Sequence, residues 1–482
     1  MTNGTIPAEQ RKKSIREISP IDVYKLLPKT NCKECHESNC MAFATRLVNG
    51  ELMLADCPPL FTAEYQAARY DLGLLLAPPV RSLTFGTGAQ QCTIGGKYVL
   101  QRHEFMYHNP TGIAIDVDDL MTDEELHARV HRIEQFSYNY IGRKLALNAI
   151  AIRSVSGDPA AFGKAVRTVS GITDLPLILC SLDPAVMEAG LAESKDRRPL
   201  IYAATEKNWK PLSDLALAFH VPLVVHTDGD PALLRCLIKT LNACCLTDLV
   251  LDPGMLAEDG LSETLHTLTT LRTAACRDLD ELSGYPLLGV PLAVWTSEEI
   301  SMDVLKWREA ITASMLMSRY ADLLIMHSLD GWVLLPQLIW RFNLYTDPRK
   351  PVSVEAGIRT FGHPDKNSPV LITTNYALTF FTVESDIKTA GLDCYLIVAD
   401  TGGLSVESAV AGRYFSADSI VTALKDMQAE NLVSHKTLII PGLAARLSGE
   451  TEEASGWKIL VGPKDSSGLP QYLRQRWPPH QA

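Results

Sequence analysis

Short, almost purely apolar segments recur through the middle of the chain, with longer helical stretches between them. Eight such segments occur, at residues 112–117, 147–155, 176–181, 199–205, 221–227, 247–253, 290–296 and 322–328. Because they lack polar alternation, they are typical of parallel strands buried on both faces. Eight strand–helix units over roughly 250 residues predict a closed TIM (β/α)8 barrel, with a doubly wound open sheet as the competing architecture. Residues 97–105 are a candidate for an extra strand across the barrel floor.

The N-terminal residues are patterned as short helices around a loop. Ser19 is a favoured helix N-cap and Pro20 suits the first helical position, so we predict a helix that stops at Pro28. A second short helix is predicted after Cys40. The pair Pro78-Pro79 has the composition of a linker and ends this region.

Strands and helices alternate again after a polar, proline-bearing break at residues 345–351. The predicted strands finish in loops of small or hydroxyl residues, within 369–375, 394–403, 436–446 and 457–468. In an open α/β sheet such loops lie together at one edge, where glycines admit a large ligand and hydroxyls bind its polar groups. The pattern predicts a cofactor cleft in a Rossmann-like domain, which would suit a nucleotide, a flavin or a corrinoid.

Four cysteines near the N-terminus provide the most specific candidate chemistry. Cys32, Cys35, Cys40 and Cys57 are spaced C-x2-C-x4-C-x16-C. A cubane iron–sulfur cluster takes one thiolate per iron, and a proline often follows the remote ligand, as Pro58 does here. Zinc usually takes its ligands as two short-spaced pairs, which this spacing does not provide. The pattern favours a [4Fe–4S] cluster, with zinc and a structural disulfide framework as alternatives.

These patterns divide the α/β chain into three predicted domains. We predict a small iron–sulfur domain at residues 1–78, a TIM barrel at 79–348 and a Rossmann-like α/β domain at 349–482. A chain of 482 residues is too long for one hydrophobic core, so several domains are expected on length alone.

Composition and charge narrow the classes of function. A formal net charge of −11 argues against a non-specific nucleic-acid binder. No apolar run approaches the ~20 residues of a transmembrane helix, and the basic N-terminus lacks the apolar core of a secretory signal. The eleven cysteines are an odd number, and most lie outside the four-cysteine motif, which suits a reducing compartment. We therefore expect a cytoplasmic protein that binds neither nucleic acid nor membrane.

Several predicted barrel strands end in polar residues, where barrel enzymes place their sites. His226 and His327 are the histidines among them. No metal triad, nucleophile elbow or lysine–carboxylate set accompanies these residues. We therefore expect both histidines to be hydrogen-bonded structural residues and name no catalytic side chain.

Taken in order, the motifs resemble those of a known family. They are LPKTNCKECHESNCMAFA (27–44) with Cys57, LVLDPG (249–254), YTDP (345–348), and TTNYALT, ADTGGLSVESAVAG, IIPGLAARLSGETEE and GWKILVGPKDSSG within 373–468. Over essentially its whole length the chain resembles the large (gamma) subunit of the corrinoid iron–sulfur protein of acetyl-CoA decarbonylase/synthase (CO dehydrogenase/acetyl-CoA synthase) systems. The cobalt-binding signature Asp-x-His-x-x-Gly is absent, as this family leads one to expect. A longer basic N-terminus and looser agreement over 255–285 are the departures.

The resemblance implies two cofactors and a methyl-carrying role. It implies a [4Fe–4S] cluster on the four cysteines and a corrinoid, a cobamide of the vitamin B12 type, in the C-terminal domain. The Co(I) corrinoid would accept a methyl group from a methyl-tetrahydropterin and deliver it to acetyl-CoA synthase in the reductive acetyl-CoA pathway. The cluster would reactivate Co(II) by reduction. The implied enzyme class is the corrinoid-protein component of a methyltransferase.

The resemblance also implies partners and contact residues. The partners are a small (delta) subunit in a heterodimer, for which the barrel is a scaffold, acetyl-CoA synthase, a methyl-tetrahydropterin methyltransferase, and an electron donor or reductive activator. The corrinoid contacts expected from loop position and resemblance are Thr373, Thr374, Asn375, Thr401, Gly402, Gly403, Leu404, Ser405, Gly442, Leu443, Ala444 and Arg446. The alternatives are an iron–sulfur oxidoreductase that binds flavin or nicotinamide, and a paralogue without a cofactor.

Overall fold

Two compact units make up the chain. The computed structural model describes residues 18–49, 52–96, 100, 109–141, 143–254, 260–296, 301–344 and 351–477. Unit 1 consists of Met1–Tyr138 and Leu145–Asp347, and unit 2 of Asn139–Lys144 and Pro348–Ala482. None of the helices in the described residues combines the length and the hydropathy that a bilayer-spanning segment requires. The division into three domains stays a prediction.

The N-terminal part of unit 1 is helical. Its helices are α1 (Pro20–Leu26), α2 (Cys40–Val48) and α3 (Gln66–Leu75), and 3-10 turns lie at Leu54–Asp56, Pro58–Phe61 and Ala63–Tyr65. Ser19 caps α1 as predicted, because its hydroxyl accepts a hydrogen bond from the Asp22 N–H while the Asp22 carboxylate accepts one from the Ser19 N–H. The buried core of this part includes Val23, Phe43, Leu60 and Leu72.

The rest of unit 1 alternates strands and helices. An antiparallel hairpin of β1 (Ser82–Phe85) and β2 (Cys92–Gly95) comes first. The strands that follow are β3 (Gly112–Asp118), β4 (Ser137–Tyr140), β5 (Arg143–Ala146), β6 (Ala149–Arg153), β7 (Leu177–Cys180), β8 (Leu200–Ala204), β9 (Leu223–His226), β10 (Leu249–Asp252), β11 (Leu288–Gly289) and β12 (Leu323–Met326). The helices are α4 (Asp123–Gln135), α5 (Pro159–Ile172), α6 (Pro184–Ser194), α7 (Trp209–Phe219), α8 (Pro231–Ala243), α9 (Leu261–Cys276), α10 (Met302–Ser318) and α11 (Gly331–Trp340). Strands β4 and β5 form a separate two-stranded sheet, and Asn139–Lys144 within it belongs to unit 2.

Eight of these strands form one parallel sheet that curls until its end strands meet. The strand order is β10-β9-β8-β7-β6-β3-β12-β11. A parallel bridge joins Leu251 to Leu287, and the Leu251 N–H donates to the Pro286 carbonyl over 2.8 Å. The predicted TIM barrel is therefore confirmed, and the open-sheet alternative for this region is wrong.

One of the eight barrel strands lies earlier than the sequence predicts. Residues 290–296 are predicted to be a strand, but Pro291–Thr296 is a 3-10 helix and the strand is the two-residue β11 before it. Pro291 has no N–H to donate to a neighbouring strand, so the ladder cannot continue through it. The candidate floor strand at 97–105 lies, apart from Leu100, outside the described residues.

The barrel interior is closed at the amino ends of its strands by the β1–β2 hairpin. Leu83, Phe85, Cys92 and Ile94 of the hairpin belong to the same buried cluster as the inward-facing strand residues. A Cβ atom on Gly112, the first residue of β3, would lie 3.3 Å from the Cys92 Sγ. The hairpin therefore packs against the start of the strands. A larger buried cluster joins the outer faces of the strands to the helices.

Unit 2 contains an open, mostly parallel sheet. Its strands are β13 (Gly357–Phe361), β14 (Val370–Thr374), β15 (Cys394–Ala399), β16 (Thr437–Ile440) and β17 (Lys458–Val461), and its helices are α12 (Ala377–Thr389), α13 (Val406–Ala411), α14 (Ala417–Asp426), α15 (Ser448–Ser455) and α16 (Leu469–Arg476). The strand order is β13-β15-β14-β16-β17, and only β13 pairs antiparallel. The Rossmann-like arrangement is confirmed. The sequence analysis missed β13, which is a half-exposed edge strand without a continuous apolar run.

A buried ion pair stands beside the seam where the barrel closes. The side chains of Arg272 and Asp322 are 1% and 0% exposed, and the Arg272 Nη2 donates to the Asp322 Oδ2 over 2.7 Å. The same oxygen accepts a hydrogen bond from the Leu287 N–H over 2.9 Å. Asp322 therefore connects Arg272 of α9 to Leu287, the residue that pairs with Leu251 of β10.

Replacing Arg272 with methionine is expected to lower the free energy of unfolding by about 3 kcal/mol or more, because it leaves a buried carboxylate without its cation. The matched control is Arg277→Met, which removes an ion pair with Asp278 whose side chains are 68% and 53% exposed. The control should change the free energy by less than about 1 kcal/mol. Urea unfolding followed by circular dichroism measures both variants, and equal losses would contradict the role given to Arg272.

Candidate functional site

The four N-terminal cysteines come from one loop and two helical turns. Cys32 and Cys35 lie in the loop between α1 and α2, and Cys40 is the first residue of α2. Cys57 stands between two 3-10 turns, directly before Pro58. Three short structural elements therefore position the four predicted ligands.

Two asparagine side chains attach the loop to α2. The Asn31 Oδ1 accepts a hydrogen bond from the Cys40 N–H over 2.9 Å. The Asn39 Oδ1 accepts one from the Ala42 N–H over 2.9 Å and caps the helix. As the first helical residue, Cys40 lies at the positive end of the helix dipole.

The backbone of this loop is held in an unfavourable conformation. Lys29, Asn31, Lys33 and His36 have φ angles of 61°, 49°, 64° and 61°. Residues with a Cβ atom adopt this left-handed region only at a cost, and such residues cluster at functional sites. The resulting tight path is what a loop that supplies several ligands to one cluster requires.

The four thiols differ in how deeply they are buried. Cys40 and Cys57 are 8% and 6% exposed, Cys35 is half-buried and Cys32 is exposed. Burial raises the pKa of the Cys57 thiol, a hydrogen bond from the Leu60 N–H lowers it, and Cys35, Cys40 and Cys32 raise it further. The other three thiols therefore act electrostatically on Cys57, and their role as ligands of one cluster stays a prediction.

This set of donors fits a four-iron cluster. Four thiolates match one thiolate per iron, and the buried side chains of Phe43 and Leu60 belong to the same apolar core. Within the described ranges, no three Cys, His, Asp or Glu side chains are grouped closely enough to hold a single metal ion. A cubane needs a wider arrangement, because each thiolate binds a different iron atom.

In unit 2, Asn375 shapes the loop that follows β15. Its Oδ1 accepts hydrogen bonds from the N–H groups of Thr401 and Gly403 and from the Thr401 hydroxyl, each over 3.0 Å. Its Nδ2 donates to the Asp400 Oδ1 over 2.9 Å. Gly402 and Gly403 turn the loop with φ angles of 64° and 75°. Asn375 therefore holds the loop in place from the end of the neighbouring strand.

A cavity of about 460 Å³ opens at the carboxyl ends of β14 to β17. Three of the predicted contact residues line it: Thr373, Ser405 and Leu443. The Thr373 hydroxyl is buried and has no hydrogen-bond partner among the described residues. A buried hydroxyl without a partner costs about 1–3 kcal/mol, so this group is available to a ligand.

The other predicted contact residues do not line this cavity. They are Thr374, Asn375, Thr401, Gly402, Gly403, Leu404, Gly442, Ala444 and Arg446. The Arg446 guanidinium donates to the Val410 carbonyl and so secures the end of α13. A Cβ atom on Gly442 would lie 2.7 Å from the Lys464 backbone nitrogen, so this glycine allows two loops to touch. A role of these nine residues as cofactor contacts stays a prediction.

One wall of the cavity comes from a helix that the sequence analysis did not name. Leu378, Thr379, Thr382 and Val383 of α12 line it. Their spacing of i, i+1, i+4 and i+5 marks one face of a helix, so the signal was present in the sequence after Asn375. The charged side chains of the lining are one basic residue, Lys464, and two acidic ones, Glu407 and Asp465.

Solved structures similar to the chain are distant from it. Dihydropteroate synthase from Thermus thermophilus is 15% identical and covers 54% of this chain and 99% of its own, with a TM-score of 0.39. Dihydropteroate synthase from Xanthomonas albilineans in complex with 7,8-dihydropteroate is also 15% identical, covering 49% of this chain and 95% of its own, with a TM-score of 0.37.

Two family models match the chain. The one described as "CO dehydrogenase/acetyl-CoA synthase delta subunit" matches residues 82–473. The one described as "Putative Fe-S cluster" matches residues 27–59, which contain all four N-terminal cysteines. An iron–sulfur segment therefore precedes the segment that matches the complex.

Relatives of similar length identify the family to which the chain belongs. The gamma subunit of the acetyl-CoA decarbonylase/synthase complex from Methanothermobacter thermautotrophicus is 41% identical over 95% of this chain and 98% of its own. Gamma subunit 1 from Methanosarcina thermophila is 42% identical, over 96% and 99%. The gamma subunit from Archaeoglobus fulgidus is 40% identical, over 96% and 99%. The resemblance of the sequence motifs is confirmed, and the chain belongs to the family of gamma subunits of the acetyl-CoA decarbonylase/synthase complex.

Proposed function

We propose that this chain is the methyl-carrying corrinoid iron–sulfur subunit of its complex. The observation that carries the proposal is the cavity of about 460 Å³ at the carboxyl ends of four parallel strands. Open α/β sheets bind cofactors outside the carboxyl ends of their strands. The same chain carries the four-cysteine loop, so a cofactor for methyl transfer and a cofactor for electron transfer would belong to one polypeptide.

The cavity would hold a corrinoid through both polar and apolar groups. When bound, the corrinoid supplies a reduced cobalt that accepts a methyl group from a methyl-tetrahydropterin and delivers it to acetyl-CoA synthase. The Thr373 hydroxyl would donate to a polar group of the cofactor. Leu378 and Val383 would cover its apolar surface and exclude water, and Lys464 would face its phosphate.

The cysteine loop would hold a [4Fe–4S] cluster that returns oxidised cobalt to its active state. Cys40 and Cys57 are buried, so they would hold the side of the cluster that faces the small helical core. Cys32 is exposed, so an electron donor would approach from its side. Partial shielding of this kind tunes the reduction potential of a cluster.

The proposal includes several partners. The relatives are named as subunits of one complex, which supports a protein that works in contact with other subunits. We propose a small (delta) subunit as heterodimer partner, acetyl-CoA synthase, a methyl-tetrahydropterin methyltransferase, and an electron donor or reductive activator.

Metal analysis tests the proposed function. The protein would be purified without oxygen after co-expression with its small subunit and a supply of corrinoid. We expect about four irons and one cobalt per chain, from one four-thiolate site and one cofactor cavity. Iron without cobalt would contradict a methyl carrier and favour the oxidoreductase or the cofactor-free paralogue. A flavin band in the visible spectrum would identify the oxidoreductase.

Replacing Cys35 with alanine is expected to lower the iron content and abolish reductive reactivation, because one iron loses its thiolate. Methyl transfer from chemically pre-reduced protein should stay largely intact, since the corrinoid cavity is untouched. The control Cys236→Ala removes an exposed thiol of α8 and should leave both activities unchanged. Equal loss of both activities in Cys35→Ala would contradict the division of labour between the cofactors.

Filling the cavity is expected to prevent corrinoid retention. Thr379→Trp adds an indole to the wall of the 460 Å³ cavity and should reduce bound cobalt to about a tenth of the wild-type amount or less. Ser385→Trp places the same side chain at an exposed position of α12 and serves as the control. Cobalt analysis after desalting measures both, and unchanged cobalt in Thr379→Trp would refute this cavity as the corrinoid site.

Asn375→Ala is expected to weaken corrinoid retention indirectly, because the N–H groups of Thr401 and Gly403 lose their shared acceptor. The variant should also unfold at a lower urea concentration. The control Asn431→Ala removes an exposed side-chain bond to Gln428 and should change neither property. A normal unfolding midpoint in Asn375→Ala would show that the hydrogen bonds from Thr401 and Gly403 to Asn375 contribute nothing to stability.

A further inference from the structure

The loop between β17 and α16 supplies a large part of the cavity lining in unit 2. It spans residues 462–468 and contains a 3-10 turn at Ser466–Gly468. Consecutive residues of this loop line the cavity: Gly462, Pro463, Lys464, Asp465 and Ser466. The position of the loop therefore sets the width of the cavity and the place of its lysine.

The first half of the loop is held by backbone hydrogen bonds. The Gly462 N–H donates to the Ile440 carbonyl over 2.9 Å, and the Gly442 N–H donates to the Pro463 carbonyl over 3.0 Å. Ile440 is the last residue of β16, and Gly442 follows it closely. The start of the loop is therefore fixed to the end of the neighbouring strand.

The second half of the loop is turned by its own hydrogen bonds. The Asp465 Oδ1 accepts a bond from the Ser467 N–H over 3.0 Å, and the Gly468 N–H donates to the Asp465 carbonyl over 3.1 Å. A Cβ atom on Gly468 would lie 3.1 Å from the Pro463 Cβ, so the loop folds back on itself. These contacts shape the turn, but they do not attach it to another wall of the cavity.

A side-chain hydrogen bond attaches this turn to α12. The Ser466 hydroxyl donates to the Asp386 carboxylate. Thr382 and Val383, which line the cavity, lie four and three residues before Asp386 and therefore share its face of the helix. The bond thus connects two walls of the cavity, the loop after β17 and the helix α12.

The Asp386 carboxylate is well suited to hold the turn. Asp386 is half-buried, and among the described residues no cation pairs with its carboxylate. A hydrogen bond to an ionised acceptor is roughly twice as strong as one between neutral groups, and partial burial limits competition by water. Leu469 anchors the start of α16 by packing in the same apolar cluster as Ile387 of α12. The polar link from Ser466 fixes the turn that precedes this anchor.

We propose that Asp386 is a positioning residue for the cofactor, which holds the Ser466 turn against α12 and thereby slows the release of a bound corrinoid. The inference rests on the proposed function, because it takes the cavity as the corrinoid site. Asp386 does not line the cavity itself, so it acts through Ser466 and the loop. Removing its carboxylate leaves the lining chemically unchanged but frees the turn, so the corrinoid dissociates faster.

Corrinoid exchange in the loaded protein tests this role. The full-length chain, co-expressed with its small subunit and supplied with corrinoid, is mixed with excess radiolabelled hydroxocobalamin, and gel filtration at intervals gives the dissociation rate constant. Asp386→Ala should raise this constant about tenfold, the effect of losing one hydrogen bond to a charged group. Asp386→Asn keeps an acceptor for the Ser466 hydroxyl and should restore most of the retention.

A second variant examines the other partner of the bond. Ser466→Ala should accelerate release by a similar factor, and the double variant with Asp386→Ala should release corrinoid no faster than either single variant. The matched control is Ser368→Ala, which removes an Asp–Ser hydrogen bond of 3.1 Å just before β14, at the amino end of that strand. The control should leave the dissociation rate constant unchanged.

The outcomes separate this inference from the proposed function. Wild-type release from a folded Asp386→Ala or Ser466→Ala protein that retains cobalt would overturn the positioning role and leave the corrinoid site in place. A lowered urea midpoint of the corrinoid-free variants without faster release would assign Asp386 a structural role alone and also overturn the inference. Failure of the unsubstituted protein to retain cobalt would refute the proposed function, and this inference with it.

Discussion

Parallel strand pairing is the constraint on which both α/β parts of this protein depend. Strands that run in one direction gather their amino ends at one side of a sheet and their carboxyl ends at the other. In the barrel, the amino side is filled by the β1–β2 hairpin and tied by the Arg272–Asp322 pair. In the C-terminal sheet, the carboxyl side carries the cavity and the loop that Asn375 holds. The candidate cofactor cavity of unit 2 therefore lies at the carboxyl ends of its strands.

The conformation of the cysteine loop is stabilised by other means than parallel strand pairing. It is too short to bury much apolar surface, and four of its non-glycine residues lie in the left-handed region. Strain of this kind persists where other interactions over-determine the backbone, and metal binding is one such interaction because its free energy adds to folding. Asn31 and the start of α2 provide part of that restraint without metal. Preorganisation of this loop and cluster assembly are thus expected to reinforce each other.

Buried polar groups have different roles in different parts of the molecule. Asp322 and Asn375 have their hydrogen bonds within the protein and hold backbone segments together. The Thr373 hydroxyl has no partner among the described residues, and it lines a cavity. His327 falls between these two cases. Its Nδ1 is hydrogen-bonded to Asp116, while the ring stays partly exposed. The hydrogen bonds of Asp322 and Asn375 hold the fold together, whereas the Thr373 hydroxyl is available to a ligand.

The sequence by itself determined the features that depend on local pattern. These include the spacing of the four cysteines, the Ser19 cap, seven of the eight barrel strands and the loops that follow the C-terminal strands, because periodicity and capping act over a few residues. Only the tertiary structure decided that Asn375 holds the loop after β15 by hydrogen bonds, that α12 lines the cavity and that β11 ends before Pro291. It also decided that His327 meets Asp116, which is 211 residues away. Such contacts depend on strand register and barrel closure, which no local pattern specifies.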